Sequence, residues 1–356
     1  MAKILIKNGK IWDGEKFFFS DVLTEDEHIA KIAQDINEEA DYVFDAKGKI
    51  VSAGLVDTHV HLKGISADIY GIQAEMSSLP FGVTAVNVAG CVHCNRKLLD
   101  SFAVKNTIFV SVKIRDNHAC FELSKEKFEC YSGRAIGIKV FFDDITKSNI
   151  KDITPLVEAC DYARRNNLKV MVHCSNSPTS MLEIVETLAP GDILTHIFHG
   201  GENSCIENDF EAFKLAKQKG VVLDSGFAGD VHVNFSNLES SIKAGFLPDT
   251  ISTDITCTSA YMRGGRYGMP MCMSIAKKAG MNEEDIFKAV TSTPAKALSK
   301  DNEWGYLAVG RRADIAVLDY TDEGFDLVDK QGNRTKSDTG YRCILTVADG
   351  RVVYRY

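Results

Sequence analysis

The stretch Ser52-Ala-Gly-Leu-Val-Asp-Thr-His-Val-His-Leu-Lys-Gly64 decides how the rest of this chain is read. An apolar run ends there in two histidines separated by one valine. Alternate side chains of a strand point the same way, so His59 and His61 share one face and Val60 takes the other. Two neutral imidazoles on one face suit a divalent transition metal such as zinc, and Gly64 lets the backbone turn out of the strand. By itself His-x-His does not distinguish a pair of ligands from a packed or solvated pair.

Working outward, the next 250 residues alternate apolar runs with amphipathic segments. Expected strands cover Ile50–Val60, Thr84–Val88, Thr107–Ile114, Ala135–Phe141, Lys169–His173, Ile193–Ile197, Val221–Asp224 and Thr250–Asp254. Helical stretches lie between them, among them Ile153–Asn166, Pro178–Leu188 and Phe210–Lys219. Eight such alternations predict an α/β chain closed into a (β/α)8 TIM-type barrel, with a doubly wound open sheet as the competing architecture. No glycine-rich phosphate loop follows any of these strands. The two ends of the chain are β-rich instead. Ile4–Lys7, Lys10–Trp12, Phe17–Leu23, His28–Ile32 and Tyr42–Asp45 precede the barrel, with Asn8-Gly9 and Asp13-Gly14 as turn signals. Tyr306–Val309, Ala313–Asp319 and a hairpin around Asp349-Gly350 follow it. The expected division is therefore a small β-sandwich from residues 1–51 plus 304–356, and a barrel over residues 52–303.

Composition limits the function classes. The 356 residues are 45% hydrophobic and 25% charged, as in ordinary globular proteins. A formal charge of -8 without a basic run speaks against nucleic acid. No apolar run approaches a membrane span, and the first residues are too weakly apolar for a signal peptide, so a cytoplasmic location and no membrane partner are expected. The ten cysteines are spread widely, and Cys91-Val-His-Cys94 stands without a second pair, which reads as packed or loop thiols.

In a barrel of this type the chemistry collects where strands end, at one rim. Read only at those ends, the sequence offers His59 and His61 on strand one, Lys139 on strand four, His173 on strand five, His196 on strand six and Asp254 on strand eight. Any one of them has an ordinary explanation as a satisfied strand-end residue, a snorkelling lysine or a turn former. Six of them on one rim argue for a site.

Together, Gly54-Leu-Val-Asp-Thr-His-Val-His61, Gly137-Ile-Lys139, Val172-His173, Thr195-His196 and Ser252-Thr-Asp254 resemble the signature set of the amidohydrolase superfamily. Pro190–His196 and Gly245–Asp254 are most similar to its amidohydrolase/deacetylase group, whose members are often labelled dihydroorotase-like or adenine-deaminase-like. The resemblance implies a two-metal hydrolase, most simply with zinc. One ion would sit on His59, His61 and Asp254 and the other on His173 and His196, bridged by Lys139 carboxylated on its amine. It further implies attack by a metal-bridging hydroxide, with Asp254 as general acid/base, on an amide or ester of a small molecule. A cyclic-amide hydrolase or an aminopurine deaminase is the alternative, and a non-enzymatic scaffold is disfavoured because all six ligand positions are filled. His199, Arg263 and Arg266 are candidate substrate contacts. Thr256 stands where similar sequences often carry histidine, and His93 lies on the same rim outside any motif. A small-molecule substrate and a homo-oligomer are the expected partners.

Overall fold

Backbone hydrogen bonding in the computed structural model, which describes residues 3–143, 149–229, 231–262 and 266–356, divides the chain between two large sheets and one small hairpin. Strands β1 (Lys3–Trp12), β2 (Phe17–Glu25), β3 (His28–Ala33), β4 (Tyr42–Asp45) and β5 (Ile50–Ala53) come first. The next set is β6 (Leu55–Val60), β7 (Val83–Cys91), β8 (Lys105–Arg115), β9 (His118–Cys120), β10 (Ala135–Phe141), β11 (Lys169–His173), β12 (Ile193–Thr195) and β13 (Val222–Asp224). The chain closes with β14 (Ile315–Thr321), β15 (Phe325–Val328), β16 (Arg334–Ser337), β17 (Gly340–Ala348) and β18 (Arg351–Arg355).

The barrel runs in the order β6-β7-β8-β10-β11-β12-β13, every neighbouring pair parallel. Its eighth position is not a full strand. Residues 250–255 hold it through two single bridges, Thr250 to Asp224 on one side and Ile255 to Val60 on the other, and so close the ring. Helices between the strands cover the outside. The helix Thr154–Arg165, for instance, buries Pro155, Leu156, Ala159, Cys160 and Ala163. Val56, Ala85, Phe109, Met171 and Ile193 from five strands pack with Leu298 and Trp304 into a separate apolar cluster towards the strands' N-terminal ends. That end of the barrel is filled, and the opposite rim is left for chemistry.

Both termini enter one sheet, β18-β17-β14-β5-β1-β2-β3 with β4 beside β1, which has its own core of Ile4, Ile6, Ile11, Val22, Val51, Ile315, Val317, Leu345 and Val347. Three expectations need correction. Asn8-Gly9 is a bulge inside a continuous β1, not a hairpin: Asn8 takes φ 58°, its N–H donates to Asp21 Oδ1 and its amide to Asp45 Oδ1. With its polar groups satisfied, the kink lets Ile4–Lys7 pair with β4 and Lys10–Trp12 pair with β5. Ile50–Val60 is two strands in two sheets, divided at Gly54, where a Cβ would stand 2.0 Å from Thr84 Oγ1. Tyr306–Val309 forms no strand and serves as a connection. Asp349-Gly350 does make the expected turn, between β17 and β18, with both residues at positive φ. Among the described residues, no helix is long and apolar enough to cross a membrane.

Candidate active site

His59 and His61 leave β6 on the same side, and each brings Nε2 to one oxygen, Asp254 Oδ1, at 3.3 and 2.9 Å. Val60 between them packs into the apolar layer outside the barrel. Asp57, earlier on the strand, joins the first and eighth positions. Its Oδ1 accepts the N–H groups of His59 and Thr253, and its Oδ2 accepts the Thr253 hydroxyl. Burial pushes this carboxyl up to about 7 despite those donors.

Outer hydrogen bonds set which nitrogen of each ring carries the proton. Thr195 Oγ1 donates to Asp224 Oδ2, so the contact of 3.0 Å between Thr195 Oγ1 and His59 Nδ1 has the imidazole as donor. His196 Nδ1 faces the Gly226 carbonyl at 2.7 Å, which can only accept. Both rings therefore turn an unprotonated Nε2 inward, the form that binds a cation. Gly226 is obligatory there, because a Cβ would meet His196 Nδ1 and Thr195 Oγ1 at 2.5 Å. Asp224, buried, takes the hydroxyls of Thr58, Thr195, Thr250 and Ser252, a complete shell beneath the site.

Lys139 on β10 is wholly buried, with Nζ 3.4 Å from His59 Nε2 and 5.5 Å from the Phe141 ring centre. Burial lowers its amine to about 8 and the His59 imidazole to about 4, and holds His173 and His196 well below the usual histidine range. For Asp254, burial acts the other way, but the charges of His59 and the neighbouring histidines outweigh it and keep the carboxyl low. Near neutral pH His59, His173 and His196 are thus bare imidazoles and Asp254 a carboxylate. His173 Nε2 is buried 3.3 Å from Asp143 Oδ2, and Asp254 Oδ1 has the Nε2 atoms of His59 and His61 beside it. His196 and Asp254 also sit at φ 69° and 46°, a left-handed backbone that β-strand ends seldom adopt and functional sites often do.

Among the described residues, two groups of three have ligand atoms within 4.8 Å of one another: His59, His196 and Asp254, and His173, His196 and His232. The donor set, imidazole nitrogens and a carboxylate oxygen converging in a buried rim, fits a divalent ion. His232 had no signal in the sequence beyond being a histidine. It lies in the loop after β13, its ring 4.2 Å from that of His196 and 4.9 Å from that of His173, with Ser175 Oγ on its Nδ1 at 3.0 Å.

The other candidates separate. His199 is buried near His196, with Nδ1 accepting the Gly201 N–H and Nε2 unpartnered among the described residues. Arg266 is exposed and faces away, lining a cleft of about 360 Å³ with Phe81, Met271, Phe325 and Tyr341 that contains none of the ligand candidates. Arg263 lies outside the described residues. Thr256 starts the helix Cys257–Met262, exchanging hydrogen bonds with Ser259, and so has a structural task. His93 is half-exposed, 3.4 Å from Asp68. Cys91 is buried and Cys94 exposed, and no cysteine enters a candidate metal group among the described residues.

Comparison with known proteins accords with this geometry. The model of the Amidohydrolase family matches residues 50–353. A deacetylase of Brucella anthropi is 29% identical over 338 residues, covering 88% of this chain and 83% of its own. Two crystal structures superpose over the whole of both chains at 25% identity, a dihydroorotase with a TM-score of 0.86 and an adenine deaminase with 0.84. The chain belongs to the amidohydrolase family and is a hydrolase of that superfamily.

Proposed function

We propose that this hydrolase removes an acyl group, bound as amide or ester, from a small molecule with the help of two divalent ions at the barrel rim. The observation that carries the reading is the crowding of donor atoms around Lys139: the imidazoles of His59, His61, His173 and His196 and the carboxylate of Asp254 converge there, with an amine that burial has lowered among them. His59, His61 and Asp254 would hold one ion, and His173 and His196 the other. Lys139, neutral in part near pH 8, would add to carbon dioxide, forming an N–C bond and releasing a proton, to give the anionic bridge that two nearby dications require. Zinc suits this donor set best. When bound, such ions supply Lewis acidity that polarises the scissile carbonyl and acidifies water.

The chain's own residues complete the reaction. Asp254, ionised and buried at the rim, takes the proton of the attacking water and returns it to the departing nitrogen or oxygen. Thr195 and the Gly226 carbonyl hold the His59 and His196 rings so that their inward nitrogens stay free of protons. His232, fixed by Ser175, lies over His196 on the substrate side. The similarity to a Brucella anthropi deacetylase favours acetyl as the group removed. The two superposing crystal structures support a second reading, opening of a ring amide or deamination of a purine. The supporting division is residues 1–51 plus 304–356 as the sandwich and 52–303 as the hydrolase barrel, in a cytoplasmic protein that assembles as a homo-oligomer.

Elemental analysis of protein purified without chelator is expected to give close to two zinc-like ions per chain, and Lys139→Ala to lose metal and activity together, partly restored by short carboxylic acids. Absence of metal in the parent protein, or unchanged content in the variant, would sink the two-metal reading. Acetate release from N-acyl and O-acyl small acids, set against ammonia release from adenine and opening of dihydroorotate, decides between the two reactions.

A further inference from the structure

The two ions of the proposed site are served unequally by the chain. His59, His61 and Asp254 give the first ion three ligands, whereas His173 and His196 give the second only two. A catalytic zinc ordinarily takes three protein ligands and leaves the next position open. Asp254 faces both ways across the rim. Its Oδ1 lies beside the Nε2 atoms of His59 and His61, and its Oδ2 stands 4.0 Å from the Nε2 of His196 and 4.0 Å from the Nε2 of His232. That separation is beyond a hydrogen bond and close to the span of two ligand bonds of about 2 Å meeting at one ion. The His232 ring stands at right angles to that of His173, and one ring nitrogen from each of His173, His196 and His232 falls within 4.8 Å of the others.

The loop that brings His232 there is fastened at both ends. Phe227 and Ala228 donate their N–H groups to the carbonyls of Ser252 and Thr253 at 3.3 and 2.9 Å, and the Asn234 N–H donates to the Phe198 carbonyl at 2.7 Å. Between them the His232 N–H returns to the Phe227 carbonyl at 3.3 Å. Ser175 Oγ, 3.0 Å from His232 Nδ1, fixes the ring itself. Ser175 follows His173 by two residues, so the loop that supplies one imidazole orients another. With the hydroxyl as acceptor, the His232 proton stays on Nδ1 and a bare Nε2 is turned to the site. Its side chain is only 17% exposed and its ring lies against those of His173 and His196, which leaves little surface for a substrate.

We propose that His232 is a third protein ligand of the second ion, completing a His173–His196–His232 set in which Ser175 is the positioning residue. The inference deepens the two-metal reading and rests on it for the ion that His173 and His196 hold.

The test loads metal-stripped protein with cobalt(II), counts the ions by elemental analysis and follows their visible absorption, which reports the ligands. The parent is expected to take close to two ions and His232→Ala close to one, with added imidazole restoring part of the loss. Ser175→Ala is expected to take both, the second about tenfold more weakly. Two ions held by His232→Ala as tightly as by the parent overturn the proposal. Should His232→Ala lose the near-ultraviolet dichroism of the folded parent, Ser175→Ala decides, and unchanged cobalt affinity there overturns it. A parent that takes a single ion sinks the two-metal reading alone: loss of that ion in His232→Ala with retention in His61→Ala upholds the three-histidine site, and retention in His232→Ala refutes it. A parent that takes none ends both.

Discussion

The rim of the barrel and the seam where the barrel meets the terminal sheet both gather ionisable side chains, and they treat them in opposite ways. At the seam, Lys105 Nζ lies 2.8 Å from both Asp314 and Asp349, Arg312 pairs with Asp349 and Glu27, and Lys10 meets Glu283. Every cation there has an anion. At the rim, four imidazoles and a carboxylate face each other around one buried amine. A buried polar group left without a full partner costs about 1–3 kcal/mol, which a bound cation would relieve. The seam is complete as the chain makes it, and the rim is complete only with something added.

The comparison breaks most visibly at Asp254. Asp254→Asn keeps a ligand oxygen but cannot accept the proton, and kcat is expected to fall on the order of a thousandfold while metal content, read by elemental analysis, changes far less. An equal loss of both would make the residue a ligand alone. The next largest effect is in stability. Burial lowers Lys139 from its ordinary 10.5 to about 8. Between those values the unfolded chain holds a proton that the folded, metal-stripped protein lacks, so stability rises with pH across that window, by up to about 3 kcal/mol. Denaturant titrations of metal-free protein at pH 8 and pH 10 should show the rise, and Lys139→Met should lack it. At the seam, Asp314→Ala leaves Lys105 with Asp349 alone and strips the Asp349 N–H of its acceptor. A loss of about 1–2 kcal/mol is expected, with metal content and kcat essentially untouched. A fall in metal content in that variant would mean that the two regions are coupled.

The sequence made the rim legible because strand ends are regular. β10 and β11 begin and end where the apolar pattern does, and that placed Lys139 and His173 directly. What escaped lies in loops, where no period operates. His232 comes eight residues after β13 ends, and only the folded path of Gly226–Asn234 returns it to His196. Arg266 has the chemistry of a substrate contact, yet its backbone sends it to the cleft at the terminal strands. The Asn8-Gly9 signal was real as a demand for positive φ, and a bulge met that demand as well as a turn would have. The eighth barrel position was legible as a polar strand end, although its strand reduces to two bridges, because Asp57 and Thr253 supply the registration that a ladder would otherwise give.

Gly54 has a consequence for engineering. One residue separates the last strand of the sandwich from the first strand of the barrel, and its N–H is itself bonded to the Asp314 carbonyl in the C-terminal segment. The sandwich is therefore a poor candidate for excision or exchange, however independent its apolar core looks. A graft that swaps it must reproduce the angle at which β5 delivers β6, because that angle aims the two histidines five and seven residues downstream. The Asp349-Gly350 turn is no freer, since Asp349 is tied to Lys105, Arg312 and Asp314 and the Gly350 N–H to the Ala313 carbonyl, so a fusion partner inserted there would pull on the same seam.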